Sequence, residues 1–405
     1  MKIDRQYDVI VLGGGAGGVA AAVRAAQLGG RVAVIENKFP GGLCMNRGCV
    51  PFGHMLAASG ILANLEFGKE MGIDCPGVEI DFAALLDRQN RLIAFMRQGV
   101  QGILKKHRVE LIKGTGRIKA SGKIEVEGAI FSFNKIILAS GGRWVEPEVS
   151  GAGIAEVVNS DHLLSSESLP GSCLVLGHGP HSIEIAQLLK RFGCNVHIAT
   201  RENGLFPDEN KTIRTRLSKE IKSCGIPVHT KTWIEGLERT REGISIRSTG
   251  KGSGKIPPVD LVVGCSRAPA LQGLGLENIG LDPEADFISV NERMETAVPG
   301  VYAIGDLTAL ENRHFSHLAS SGGITAAENA MGKLTAFNPR LVVRIAYTSP
   351  AVACVGLTLR QAEEAGFDVA TGAAPLSMNP RGMILSQNNG LVEIVADKKY
   401  GEILG

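Results

Sequence analysis

Along this chain, short apolar runs alternate with longer stretches of helical spacing. Tyr7–Leu12 is such a run and predicts a buried strand. An Ala-rich helix follows to about Leu28, and Arg31–Ile35 predicts a second strand. Residues 55–107 predict two long helices with a break near Gly72–Gly77. Strands return at Val109–Ile112, Lys123–Val126 and Lys135–Ala139, the last running into a small-residue turn, Ala139–Gly142. From Cys173 the opening pattern repeats: strand Cys173–Leu176, a helix to about Phe192, strand Asn195–Ala199. Val301–Asp306 predicts a buried strand with an acidic end, followed by a helix over 322–332. From Tyr347 the chain reads as strand, helix and strand, with Leu391–Leu404 as a hairpin. Strands alternating with helices predict an α/β fold containing two Rossmann-like dinucleotide-binding domains.

The turns carry the candidate chemistry. Gly13-Gly14-Gly15-Ala16-Gly17-Gly18 lies between the first strand and helix, and Glu36 closes the second strand 23 residues after Gly13. This is a dinucleotide fingerprint in its structural context. Gly13 allows the tight turn, Gly15 lets backbone approach a pyrophosphate, and Gly18 lets the helix pack on the strand. The helix N-terminus offers N–H groups to phosphate, and Glu36 can accept from a ribose diol. At an offset of 164, Gly177, Gly179 and Ser182 occupy the same positions, and Thr200 stands where Glu36 does. Thr200 lacks the carboxylate of NAD sites. Arg201 beside it could pair with a 2′-phosphate, and Glu202 argues the other way, so NAD and NADP both stay open with a lean to NADP. Asp306, at a strand end, is a candidate acceptor for ribityl or ribose hydroxyls.

Composition narrows the classes. The 405 residues suffice for two or three domains, and a formal net charge of +2 indicates neither nucleic acid nor an anionic membrane surface. No apolar run reaches the roughly 18 residues of a membrane span, so no membrane partner is expected. The N-terminus, Met1–Arg5, shows no secretory apolar region. Most of the eight cysteines are scattered singly, which predicts a reducing cytoplasm. In that setting the pair Cys44 and Cys49, five apart between Gly41-Gly42 and Val50-Pro51, points to catalysis. A structural disulfide or a metal pair is the alternative, but no second Cys/His pair has zinc spacing, and no metal is expected.

Over its whole length the chain resembles the class I pyridine nucleotide-disulfide oxidoreductases, a family of flavoproteins. The resemblance is carried by Gly13–Gly18, Gly41–Pro51, Ala139–Gly141, Gly177–Glu184, Arg267–Pro269, Ala303–Asp306 and Tyr347–Leu357. The last segment is most similar to the dihydrolipoamide dehydrogenase and mercuric reductase branches. The resemblance implies FAD in the first fold, at Gly13, Gly15, Ala16, Gly17, Gly18, Glu36, Asn37, Gly42, Gly116, Ser140, Gly141, Asp306, His314, Phe315, Ser316 and His317. It implies NAD or NADP in the second, at Gly177, Gly179, Pro180, His181, Ser182, Thr200, Arg201 and Ser266. It implies a redox disulfide between Cys44, the interchange thiol, and Cys49, the flavin-proximal one, with Glu184 near the nicotinamide. The domains would be 1–149 and 269–336 for FAD, 150–268 for NAD(P), and a dimerisation (interface) domain over 337–405. The expected substrate is a small disulfide or dithiol, foremost a lipoyl group on a carrier protein, then mercuric ion or a glutathione-type disulfide. Residues five apart on a regular helix are roughly 8–9 Å apart, whereas a disulfide needs less than about 7 Å. The turn must therefore be distorted, with Gly48 permitting this and Pro51 biasing Val50 away from helical angles.

Three departures from the family stand out. Phe52-Gly53 replaces a pair containing a lysine, which leaves Glu184 without that partner and makes His54 a candidate substitute. Ser266-Arg267-Ala268-Pro269 replaces Gly-Arg-x-Pro. The terminal His-Pro…Glu segment has no counterpart, so the interface domain is expected to be truncated and the full-length form to be a homodimer. These departures also motivate a rival reading, a non-catalytic flavoprotein subunit.

Overall fold

Val9 and Val11 face one side of strand β1 (Ile3–Leu12), Ile10 and Leu12 the other, and all four are buried. A strand covered on both faces needs apolar residues at every position, which is why Tyr7–Leu12 reads as one continuous run. The computed structural model describes residues 3–153, 157–252, 256–310 and 314–405. Met1 and Lys2 lie outside them.

The chain divides into two compact units: residues 1–55, 80–144 and 267–339 in the first, and 56–79, 145–266 and 340–405 in the second. In the first, β1 pairs in parallel with β2 (Val32–Glu36), which pairs with β3 (Glu110–Lys113). On its other side β1 pairs with β6 (Ala129–Leu138), followed by β5 (Lys123–Val126) and β4 (Gly116–Ala120). The strand Val301–Ala303 also joins β6 in parallel, so its acidic end lies with the other strand ends. Helices α1 (Ala16–Gln27) and Ser316–Ala330 cover one face with α4 (Phe82–Lys106), burying Ala21, Ala25, Leu104 and Ala326 against Val9, Val11 and Val34. The opposite face packs on Ile118, Ile124, Leu274 and Leu276. A short strand β7 (Gly142–Trp144) pairs antiparallel with Arg267–Pro269.

The cysteine segment forms two helices, α2 (Gly42–Asn46) and α3 (Cys49–Glu70), with the break at Arg47-Gly48. The expected distortion is present, but Pro51 does not cause it. Val50 is helical, and Pro51 sits in the first turn of α3, where an N–H has no intrahelical acceptor to lose. The stretch Gly42–Glu70 is long and apolar enough by length and composition to cross a membrane. Counting only unbroken apolar runs overlooks it, because small residues and few charges keep its average high.

In the second unit, β9 (Ser172–Leu176) lies between β10 (Asn195–Ala199) and β14 (Leu261–Gly264), with β11 (Val228–His229) and β8 (Val157–Asn159) at the edges, all parallel. Between them in sequence come α5 (Ser160–Leu163), α6 (Pro180–Arg191), α7 (Lys211–Ser223) and the antiparallel pair β12 (Thr232–Thr240) and β13 (Gly243–Gly250). Val369–Pro375 pairs antiparallel with Leu391–Asp397, which then turns back so that Ala396 bridges Ile403. The expected terminal hairpin is therefore present, and its first strand has an earlier partner.

Candidate active site

The first glycine loop is shaped by close approach. Gly13 has φ +115°, and a Cβ there would meet the Ala139 carbonyl oxygen at 2.2 Å. The Gly14 N–H donates to Glu36 Oε2 at 2.8 Å, and the Lys38 N–H donates to Oε1 at 2.8 Å. The strand-end carboxylate is thus aimed at the loop. Gly15, the N-cap of α1, has no side-chain cap, and a Cβ on it would meet only Gly42 Cα, at 3.9 Å. The α1 N-terminus therefore keeps its N–H groups for an anion.

The same loop seats the cysteines. The Gly41 N–H donates to the Gly14 carbonyl at 2.8 Å, and a Cβ on Gly42 would strike Gly15 Cα at 2.6 Å. Two glycines facing each other bring α2 against the fingerprint, and α2 carries Cys44. From outside, Arg97 donates to Asn46 Oδ1 and stacks 3.8 Å over the Phe39 ring. Asn46 Nδ2 in turn donates to the Gly42 carbonyl at 2.8 Å.

Cys44 and Cys49 are both free thiols in hydrogen-bond contact. The Cys49 thiol donates to the Cys44 sulfur and lowers Cys44 to about 6; burial opposes this, and the Ser316 hydroxyl and the Arg267 charge add to the lowering. Cys49 moves the other way, because its proton is held by the Cys44 sulfur. The pair therefore shares one proton, with the negative charge on Cys44. Such a thiolate is a nucleophile at neutral pH, with a second thiol in contact to close a disulfide on it.

In the second fold Gly177 has φ +137°, and Gly179 caps α6 with nothing within 4 Å of a Cβ position. Ser182 stands at the third glycine position, buried at the start of α6. Thr200 is buried, and its hydroxyl accepts from the Glu202 N–H at 3.1 Å. Arg201 is exposed beside it.

Residues 7–333 match the model of the family described as pyridine nucleotide-disulphide oxidoreductase, and residues 342–405 match its dimerisation domain. The chain belongs to the pyridine nucleotide-disulphide oxidoreductase family. A dihydrolipoyl dehydrogenase of Bacillus subtilis is 32% identical over 98% of this chain and 87% of its own length. Another, from Thermus scotoductus, is 34% identical over 99% of this chain and 87% of its own length. The fold is shared with LpdA from Mycobacterium tuberculosis, with a TM-score of 0.87 at 22% identity over 99% of this chain and 88% of that one. The protein is thus an FAD-dependent oxidoreductase passing electrons between NAD(P)H and a disulfide. Its residues fit both groups. The open Gly15 and Gly179 positions and the uncapped N-termini of α1 and α6 suit pyrophosphates, and Glu36 suits the diol of the FAD adenosine.

Several expected contacts of the oxidoreductase turn out to be engaged within the protein. Asp306 Oδ2 lies 3.3 Å from Arg267 and 3.4 Å from His314 Nδ1. Ser140 Oγ donates to the Ala270 carbonyl at 2.9 Å, so its hydroxyl hydrogen is committed within the protein. Gly116 turns its Cβ position into the core, 2.7 Å from Leu12 Cδ1. Ala16, Gly17 and Gly18 form the first turn of α1, Asn37 is exposed after β2, and Gly141 has φ +74° in the turn after β6. Phe315 and His317 stack at 5.2 Å where the helix Ser316–Ala330 begins. The Ser266 carbonyl accepts from the Val145 N–H at 3.1 Å.

One expectation needs correction. His54 does not act as a stand-in for a lysine. It is buried, with Nε2 at 3.0 Å from the Leu85 carbonyl and Nδ1 at 2.9 Å from Arg88, so both ring nitrogens are used against α4. Glu184, without that lysine, is met by other groups. Its Oε1 accepts the Tyr347 N–H at 2.7 Å, and its Oε2 lies 3.9 Å from His181 Nδ1. Sequence reasoning also gave no site role to Arg267, although its guanidinium acts on Cys44 and sits beside Asp306. The signal was available, since Arg267 opens the Arg-x-Pro segment. Among the described residues no group of three or more His, Cys, Asp or Glu is arranged to hold a metal ion.

Proposed function

We propose that this oxidoreductase acts on a small disulfide or dithiol, with the lipoyl group of a carrier protein as the leading substrate. The observation that carries this reading is the contact of the Cys44 and Cys49 thiols at the α2–α3 break, seated against the first glycine loop by Gly41 and Gly42, with Cys44 as the attacking sulfur. In the reducing direction the Cys44 thiolate attacks one sulfur of the substrate disulfide, forming a mixed disulfide and displacing the other sulfur as a thiolate, which in a lipoyl ring stays tethered. Cys49 then gives up its proton, attacks the Cys44 sulfur and closes the Cys44–Cys49 disulfide, releasing the remaining substrate sulfur, so that a lipoyl group leaves as one dithiol. Bound FAD supplies the two-electron carrier between nicotinamide and this disulfide. Arg267 and Ser316 hold the charge on Cys44. Gly13, Gly15 and Glu36 would hold FAD, with Asp306 presenting its carboxylate together with Arg267. Gly177, Gly179 and α6 would hold the nicotinamide nucleotide, and exposed Arg201 favours NADP.

The curated relatives named dihydrolipoyl dehydrogenase support lipoyl chemistry, and the dimerisation match over residues 342–405 supports a homodimer. The scattered, single placement of most of the eight cysteines in the sequence supports a reducing, cytoplasmic setting. The test is anaerobic turnover of FAD-loaded protein with lipoamide, glutathione disulfide and mercuric ion, each with NADH and NADPH. Fastest turnover of lipoamide, lost in Cys44→Ser, is expected. Faster turnover of glutathione disulfide or mercuric ion would reassign the substrate, and a flavin that neither nucleotide reduces would leave a non-catalytic flavoprotein.

A further inference from the structure

Glu184 is set in an unusual surround. Its side chain is only 10% exposed, so protein groups rather than water must satisfy the carboxylate. One oxygen is held by the Tyr347 N–H at 2.7 Å. Toward the other stands the titratable side chain of His181, one helical turn earlier on the same face of α6, with Nδ1 3.9 Å from Oε2, a close approach longer than a hydrogen bond. The imidazole is tethered at its far end, where Nε2 lies 2.7 Å from Ser160 Oγ on α5. Ser160 is fully buried, so this tether does not swing. The row therefore runs from Ser160 through His181 and Glu184 to Tyr347. The groups that meet it include the Glu184 carboxylate from its own helix, the Ser160 hydroxyl from α5, next to the Asp161 carboxylate in sequence, and a backbone N–H from the segment after Arg344–Ala346.

We infer that His181 is a positioning residue for Glu184: anchored to Ser160, its imidazole holds the carboxylate in one orientation for its work at the nicotinamide. This rests on reading α6 as the nicotinamide site. The helix begins with Pro180, whose fixed φ starts the turn, so His181 is committed to one direction from its second residue. With His181 cut back, the carboxylate keeps the Tyr347 N–H and loses the side that fixes its rotation. The backbone contacts of Gly177, Gly179 and the helix N-terminus to the nucleotide are kept, while the reacting geometry loosens.

The experiment compares wild type, His181→Ala, His181→Gln and Glu184→Gln, all loaded with FAD. Dissociation constants for NAD⁺ and NADP⁺ are read by fluorescence, and the limiting rate of flavin reduction by anaerobic stopped flow. The imidazole ¹⁵N shifts of His181, identified by their loss in His181→Gln, give a readout independent of turnover. In His181→Ala the limiting rate should fall about tenfold or more, by a clearly larger factor than nucleotide affinity. His181→Gln, whose amide can donate to the carboxylate, should recover most of the loss in rate. The His181 shifts should change in Glu184→Gln. An unchanged rate in His181→Ala, a loss of affinity in step with rate that Gln does not rescue, or His181 shifts blind to Glu184→Gln would each overturn the inference. If neither nucleotide reduces the wild-type flavin, the functional reading fails instead.

Discussion

The two glycine turns share a backbone and differ in what they can tolerate. Gly15 and Gly179 cap their helices with nearly the same angles, φ −71° and ψ −175° against φ −86° and ψ −179°. At the third position they part. A Cβ on Gly18 would lie 1.9 Å from the Gly13 carbonyl oxygen, whereas Ser182 fits with its Oγ 3.4 Å from the Leu176 carbonyl. At the strand end, Glu36 braces the glycine loop through Gly14, while Thr200 turns to its own loop through Glu202. The first turn is packed to its limit and locked by a carboxylate; the second has slack. The difference fits a cofactor that stays against one that comes and goes.

The largest expected effect breaks the tight turn. Gly18→Ala sets a methyl against a backbone carbonyl that cannot rotate away, and overpacking of this kind reaches about 3 kcal/mol or more. Thermal unfolding should show that loss together with loss of bound FAD. Ser182→Gly in the second turn should stay within about 1 kcal/mol. Equal penalties at both positions would erase the contrast.

Next comes the chemistry mounted on the tight turn. Cys44 is lowered from 9.0 to about 6. A lowered thiol is thiolate above that value and protonated below it. Iodoacetamide should therefore label Cys44 of the reduced enzyme at a plateau above about pH 6 and fall about tenfold per pH unit below it. Removing the guanidinium in Arg267→Ala should move the midpoint upward, since its charge favours the thiolate. A midpoint near 9.0 in the unaltered protein would show that the pair does not share its proton as described.

These two regions also show what a sequence makes legible. The glycine turns and the cysteine segment were readable because their chemistry is local: spacing, a strand before, a helix after. Burial of β1 on both faces followed from its unbroken apolar run. What escaped is set by residues far apart in the chain. Tyr347 reaches Glu184 across 163 positions, and Ser140 spends its hydroxyl on Ala270 across 130. His54 looked available until Arg88 and Leu85 of α4 were seen against it. The effect of Pro51 depends on where the helix starts, and α3 starts two residues earlier.

A smaller effect probes the slack turn. Arg201 is exposed after β10, with Glu202 beside it, so its bond to a 2′-phosphate would be partly screened. Arg201→Ala should raise the KM for NADPH about ten- to fifteenfold, the lower end for a hydrogen bond to a charged group, and leave NADH nearly unchanged. Equal loss for both nucleotides would mean that Arg201 does not read the 2′ position.

The smallest effect comes from a glycine near the tight region that has no such constraint. Gly53 lies within α3, is exposed, and has nothing within 4 Å of its Cβ position. Gly53→Ala should therefore stabilise the helix by about 0.5–1 kcal/mol, because alanine loses less conformational freedom on becoming helical. The sign is the point of the measurement. Gly18 and Gly53 flank the same cysteine segment in sequence, and only the first is glycine for want of room. If Gly53→Ala instead lowers the melting temperature of the FAD-loaded protein while raising that of the FAD-free one, the space beside Gly53 belongs to the bound cofactor.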